Sequence, residues 1–219
     1  MPARLGAILG LATPVTFVAG IVLGDLAQPD AFSPANDDIS DLGAQTASSP
    51  WLYNQVAANL TGLLVLAFAL GLWRALGEGW LSRLGVVSLG IVGLGLLLDG
   101  VFRLDCQGID AACANTSWQS DAHRLESGVT AGALLLTPLI LAFAFRAIDA
   151  WRPVWLVTLL ATPCSIVTSA LFSALGNGAA SRAGSVVWFV WLAFVALHLL
   201  RVASDERQMT APAAAPRRS

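Results

Sequence analysis

Residues 84–102 read LGVVSLGIVGLGLLLDGVF. One acid, Asp99, is the only charge in the run, and it sits three residues from the end. A helix rises about 1.5 Å per residue, so roughly 20 residues cross a hydrocarbon core about 30 Å thick. The run has that length and keeps no polar face for water, which makes it a membrane span rather than a surface helix. Working outward, five more stretches have the same character: residues 5–24, 52–73, 127–148, 154–175 and 184–202. The second opens on Ser49-Pro50, a cap residue followed by proline at the first helical position. The last two are separated by the breaker Gly176-Asn177-Gly178. Pro14 falls within the first span, where neighbouring helices can satisfy the carbonyl it frees. The first span is longer than the apolar part of a secretory leader and has no clean cleavage site before Asp25, so a retained helix is expected.

Composition agrees. Of 219 residues, 56% are hydrophobic and only 12% charged, against about 25% charged in ordinary soluble domains. The mean hydropathy is +0.71. These values exclude a water-soluble globular enzyme, a disordered chain and a basic nucleic-acid-binding domain. All twelve basic residues are arginine, so lysine Schiff-base chemistry and a P-loop are excluded as well. The expected fold is all-α, a polytopic six-transmembrane-helix bundle over residues 1–203, with residues 204–219 as a disordered Ala/Pro-rich tail.

Arginine sets the orientation. With both termini cytoplasmic, Arg4, Arg74, Arg83, Arg146, Arg152, Arg201, Arg207, Arg217 and Arg218 lie inside, and only Arg103, Arg124 and Arg182 outside. Ten of the fourteen acids then lie at the outer face. The expected location is the cell (plasma) membrane. The cytoplasmic links are short, whereas outer segments 25–50 and 103–126 are long, and long loops in compact domains are more often functional than filler. Cys106 and Cys113, with six residues between them in the second outer segment, are expected to pair as a disulfide on the oxidising side. Cys164, alone in the fifth span, reads as a small core hydrophobe.

Chemistry-bearing residues gather at the outer face. Asp99 is costly inside a span unless it meets a partner or a cavity; Arg103, at i+4, is one candidate partner. His123, the one histidine on that side, has Asp121 and Glu126 beside it. Asp41 and Asp105 can approach from the two loops. His123, Asp99, Asp105 and Asp41 are therefore the candidate catalytic residues. His123, Asp105 and Asp99 are the candidate ligands for a divalent metal, the one cofactor under consideration, and an oxygen-rich set with one imidazole suits Ca²⁺, Mg²⁺ or Mn²⁺ better than zinc. The rival is a helix-start histidine satisfied by a carboxylate. Segment 37–41 reads either as a lid over the bundle mouth or as a capped linker. On the fifth span Thr158, Thr162, Ser165, Ser169 and Ser173 form one stripe, read as hydroxyl-mediated packing or as a polar path. Trp51, Trp73, Trp80, Trp118, Trp151, Trp155 and Trp188 cluster near span ends and read as interface anchors, and His198 as interfacial.

Several of these residues carry a resemblance. Phe32-Ser33-Pro34-x-Asn36-x-Asp38-Ile39-Ser40-Asp41-Leu42-Gly43-Ala44, then Pro50-Trp51 and Asn54, then Gly100-x-Phe102-x-x-Asp105 and His123, resemble the domain of unknown function 998 family of bacterial and archaeal six-helix membrane proteins. Arg103 stands where that family is expected to carry proline. The resemblance implies a fold and an uncharacterised role, and no activity. With no catalytic signature in the chain, the leading expectation is an accessory, sensor or lipid-binding membrane component with an acidic outer face. Its expected partners are membrane lipids, and a membrane-protein partner or a second copy is a further candidate; nucleic acid is not. The alternatives are an outer-leaflet lipid hydrolase or transferase using the His/Asp site, and a small-solute transporter.

Overall fold

The structure is a computed structural model that describes residues 1–210. It is all-helical, with no strand among the described residues. Six long helices form the fold: α1 (Ala3–Leu26), α2 (Thr61–Ala75), α3 (Trp80–Asp99), α4 (Trp118–Ala147), α5 (Trp155–Phe172) and α6 (Asn177–Thr210). Each of the six spans is long and apolar enough to cross a membrane. Large apolar side chains such as Val15, Leu70, Val129 and Val190 are more than half exposed. A water-soluble fold would bury them, and a bilayer solvates them.

The helices alternate in direction and pack in chain order, and α6 closes back onto α1, so the bundle is a ring. α1 is an integral wall of it. Both chain ends leave from one end of the ring, the termini end. The two long connections and the α5–α6 turn cover the other, the loop end. Hydroxyl pairs join neighbours across the ring, Thr16 to Thr61 at 2.7 Å and Ser88 to Thr137 at 2.7 Å. Such bonds contribute roughly 0.6–2 kcal/mol each in a membrane.

Two prolines show how the ring repairs its own backbone. Pro14 removes the amide that would serve the Gly10 carbonyl, and the Thr13 hydroxyl donates to that carbonyl at 2.7 Å. Pro138 likewise frees Leu134, whose carbonyl accepts from Trp188 Nε1 of α6 at 3.0 Å. Trp188 is therefore a core residue, 4% exposed, and not an interface anchor; Trp151, fully buried, is not one either. Trp51, Trp80 and Trp118 are more than half exposed near helix ends, as anchors are.

Other expectations need adjusting. α4 starts at Trp118 and α6 at Asn177, both earlier than the apolar runs, because polar first turns continue the helix beyond the hydrophobic segment. α6 also extends to Thr210, into the segment expected to be a disordered tail; residues 211–219 of that tail lie outside the described residues. Ser49 does not cap with its side chain: its φ is 52°, and its carbonyl accepts from the Leu52 amide. The helix entered there is a π-helix, Leu52–Leu60, which runs on into α2. Cys164 is exposed on the outer wall of α5 and is not a core residue.

Candidate functional site

The second half of the loop end is organised around the start of α4. Ser117 caps that helix, its hydroxyl accepting from the Ser120 amide. The Asp105 carboxylate accepts from the amides of Thr116 and Ser117 at 2.9 and 2.8 Å. These bonds, those from Ser117 first, hold the Asp105 carboxyl below the usual range. The Cys106–Cys113 disulfide forms, with the Cα atoms 6.1 Å apart. Asn115 bonds both backbone polar groups of Cys106.

The first connection is tied to the second and to α6. Gln45 donates its amide to Leu104, Gln107 bonds Gln28, and Thr46 bonds Asp110. Arg182 of α6 grips Asp25 at 2.7 Å and donates to the Asp37 carbonyl at 2.9 Å. The intervening 3₁₀ turn, Ile39–Gly43, lies over the ring mouth. Its Asp41 is buried beside Gly108; burial pushes this carboxyl up, the Gly108 amide opposes that in part, and the neighbouring charges of Asp38 and Asp37 reinforce it.

The π-helix places three side chains. Asn54 donates to the Gly43 carbonyl at 3.0 Å, fixing the 3₁₀ turn to the bundle. Any Cβ on Gly43 would collide with Tyr53 and Asn54, and one on Gly100 would collide with Asn59 and the Asn54 carbonyl. These two glycines let the 3₁₀ turn and the end of α3 close onto the π-helix. That closure brings the Tyr53 hydroxyl to Asp99, to which it donates.

Asp99, His123 and Glu126 meet behind that bond. His123 Nδ1 is 3.0 Å from Asp99 Oδ1 and 3.8 Å from Glu126 Oε1, and the three donor atoms lie within 4.8 Å of one another. Their side chains are 12%, 7% and 9% exposed. Nδ1 is also 3.0 Å from the Phe102 carbonyl, which can only accept, so this nitrogen carries a proton and donates it there. Asp99 Oδ1 is buried and receives no hydrogen bond. Glu126 accepts from the hydroxyls of Ser127 and Thr130. With every group charged, two carboxylates against one imidazolium leave net negative charge.

Of the four candidate residues, the fold thus brings Asp99 and His123 together. Asp105 is occupied with the α4 amides, and Asp41 lies apart in the 3₁₀ turn. Arg103 enters no ion pair with Asp99, because α3 stops at Asp99 and the chain turns away from the face that an i+4 partner needs. Glu126 takes the place expected for Asp105. Tyr53 was not anticipated, although it is the only tyrosine in the chain and stands at the start of a span, level with the end of α3.

A cavity of about 520 Å³ adjoins this cluster inside the ring. Asp99 and Tyr53 form part of its wall, with Asp38, Ile39 and Ser40 at the mouth. Phe17, Trp188 and Phe189 supply aromatic surface. Thr162, Ser165 and Ser169 of the α5 stripe line it too, but Thr162 donates to Leu135 of α4 and Ser165 to Gly184 of α6. Those two hydroxyls serve helix packing. Leu135 and Ile166 line the cavity and are 41% and 51% exposed, so the cavity is open along the wall formed by α4 and α5. α5 is the least buried of the six spans.

No curated protein and no solved structure matches the chain. The family described as "Protein of unknown function (DUF998)" matches residues 11–198, a range that takes in the 3₁₀ turn, the π-helix, the end of α3 and the start of α4. The chain, with its six membrane-length apolar helices, is a member of that family of proteins of unknown function.

Proposed function

We propose that this protein binds a membrane amphiphile in the loop-end cavity, drawing it in between α4 and α5. The observation that carries the reading is that Leu135 and Ile166, on two neighbouring membrane spans, line the cavity and are well exposed. The volume falls in the range of small-molecule sites, roughly 300–1,000 Å³, and the lining combines apolar surface with a few convergent polar groups. The arginines of the termini end and the disulfide at the loop end support a plasma-membrane orientation with the termini cytoplasmic and the cavity in the outer leaflet. Crosslinking with a chain-labelled diazirine lipid tests it. Adducts are expected on cavity-lining peptides of α4, α5 and α6, and are expected to disappear in Ala131→Trp, which sets an indole on a lining residue of α4. Adducts spread evenly over all exposed leucines, unchanged by that substitution, overturn the reading.

A second reading, acid–base chemistry on the bound lipid, is favoured by the contact of Asp99 with both the cavity and His123. In it Asp99 touches the substrate and His123 positions it. The Nδ1 proton donated to Phe102 favours a proton over a metal ion at that nitrogen. Turnover of a lipid by purified protein, lost in Asp99→Asn with the protein still folded, is its expected result; lipid that is bound and never altered ends it.

A further inference from the structure

We infer that the amphiphile held in the cavity carries a cationic nitrogen, a protonated amine or quaternary ammonium, seated against Asp99 and the aromatic wall. The inference rests on the amphiphile-binding reading and adds the chemistry of the head.

The first argument is charge. The cavity lining contains two carboxylates, Asp38 and Asp99, and no arginine or histidine. His123 and Glu126 stand behind Asp99, and with every group charged that cluster is negative. Of the three arginines of this end, Arg182 is committed to Asp25 and the Asp37 carbonyl and Arg124 to Asp121 and the Asn115 carbonyl, and Arg103 does not line the cavity. A phosphate, sulfate or carboxylate head would meet no cation here and would face two like charges.

The second argument is the wall. Tyr53 lies beside Asp99, held there by its hydroxyl. Phe17 stacks on Phe189 with ring centroids 4.1 Å apart, and Trp188 meets Phe189 edge-on at 5.2 Å. All four rings line the cavity. Aromatic faces next to a carboxylate are the usual way to hold an alkylated ammonium, because the ring quadrupoles attract the cation without demanding hydrogen bonds from it.

The source is a chain-bearing molecule, since the exposed apolar residues Leu135 and Ile166 line the open side of the cavity. Native mass spectrometry of the full chain in an uncharged maltoside detergent tests this, with octadecyltrimethylammonium, octadecanol and octadecanoate as probes. The ammonium is expected to bind about tenfold or more tighter than the alcohol, from desolvated charge pairing plus cation–π attraction, with no octadecanoate adduct. Asp99→Asn is expected to reduce that preference to within about threefold, with alcohol binding retained as its control for folding. Asp121→Asn, at an exposed acid outside the cavity, is expected to change nothing. Equal binding of ammonium and alcohol, or a preference that survives Asp99→Asn, overturns the inference and leaves amphiphile binding standing. A preference reduced equally by Asp121→Asn also overturns it, since it marks attraction to the acidic loops. Ala131→Trp is expected to abolish both adducts; if it abolishes neither, the amphiphile lies outside the cavity and both readings fall.

Discussion

At the scale of single residues, two aspartates of the loop end should respond to pH in opposite directions. Asp105 has its carboxyl held down by hydrogen bonds from Ser117 and Thr116. Its contribution to stability is therefore present above the ordinary aspartate range and fades as pH falls through the lowered value. Asp105→Asn should lower the melting temperature at pH 7 and matter little at the acid end of the accessible range. Asp41 has its carboxyl pushed up by burial. Its ionisation opposes folding, so stability is fullest below the ordinary range and declines as pH rises through the raised value. Asp41→Asn should raise the melting temperature at pH 7 and leave it unchanged at low pH. Thermal unfolding of the two variants across pH checks both signs; parallel curves would refute the assignment. Tyr53→Phe removes the one hydroxyl that Asp99 Oδ2 receives and should destabilise by about 1–3 kcal/mol, read from denaturation in mixed micelles.

At the scale of elements, the six spans were legible because hydrocarbon thickness fixes how long an apolar run must be. Their facing was not, since runs apolar on every side give no period that separates ring interior from lipid. That is why Cys164 was placed in the core and Trp188 at the interface, when the reverse holds. The π-helix was also invisible, because its register depends on tertiary partners such as the 3₁₀ turn held by Asn54 and not on a local signal. The Trp188–Leu134 bond gives a test at this scale. Trp188→Phe should cost about 1–3 kcal/mol by leaving the Leu134 carbonyl unpaired. Pro138→Ala returns an amide to that carbonyl, so the same tryptophan substitution made in that background should cost less. A double-mutant cycle with no coupling would rule out the repair role.

At the scale of the whole molecule, the candidate site was half legible. Asp99 and His123 stood out as ionisable groups at neighbouring span ends, and their meeting follows from α3 and α4 being adjacent and antiparallel. Asp105 was misplaced because its sequence distance from His123 says nothing of the α4 amides that claim it. Arg182 binds the first connection to α6 across the ring mouth and is partly buried with Asp25. Arg182→Gln should destabilise by roughly 3 kcal/mol, since it leaves Asp25 with no cation, and should expose the first connection to protease before the bundle melts. Resistance equal to that of the parent protein would contradict this.

The ring has a consequence for how the molecule is made. α6 is the last of the six described helices, and it supplies Ser185, Trp188 and Phe189 to the cavity as well as the contact that meets α1. A nascent chain with only five helices in the bilayer has an open groove where the cavity will be, with Phe17 turned to lipid and the Leu134 carbonyl without its indole. The binding chamber thus comes into being in a single late step, when the final span enters the membrane. Chains cut before Asn177 should be recognised and destroyed by membrane quality-control proteases, even though five of their six spans are intact.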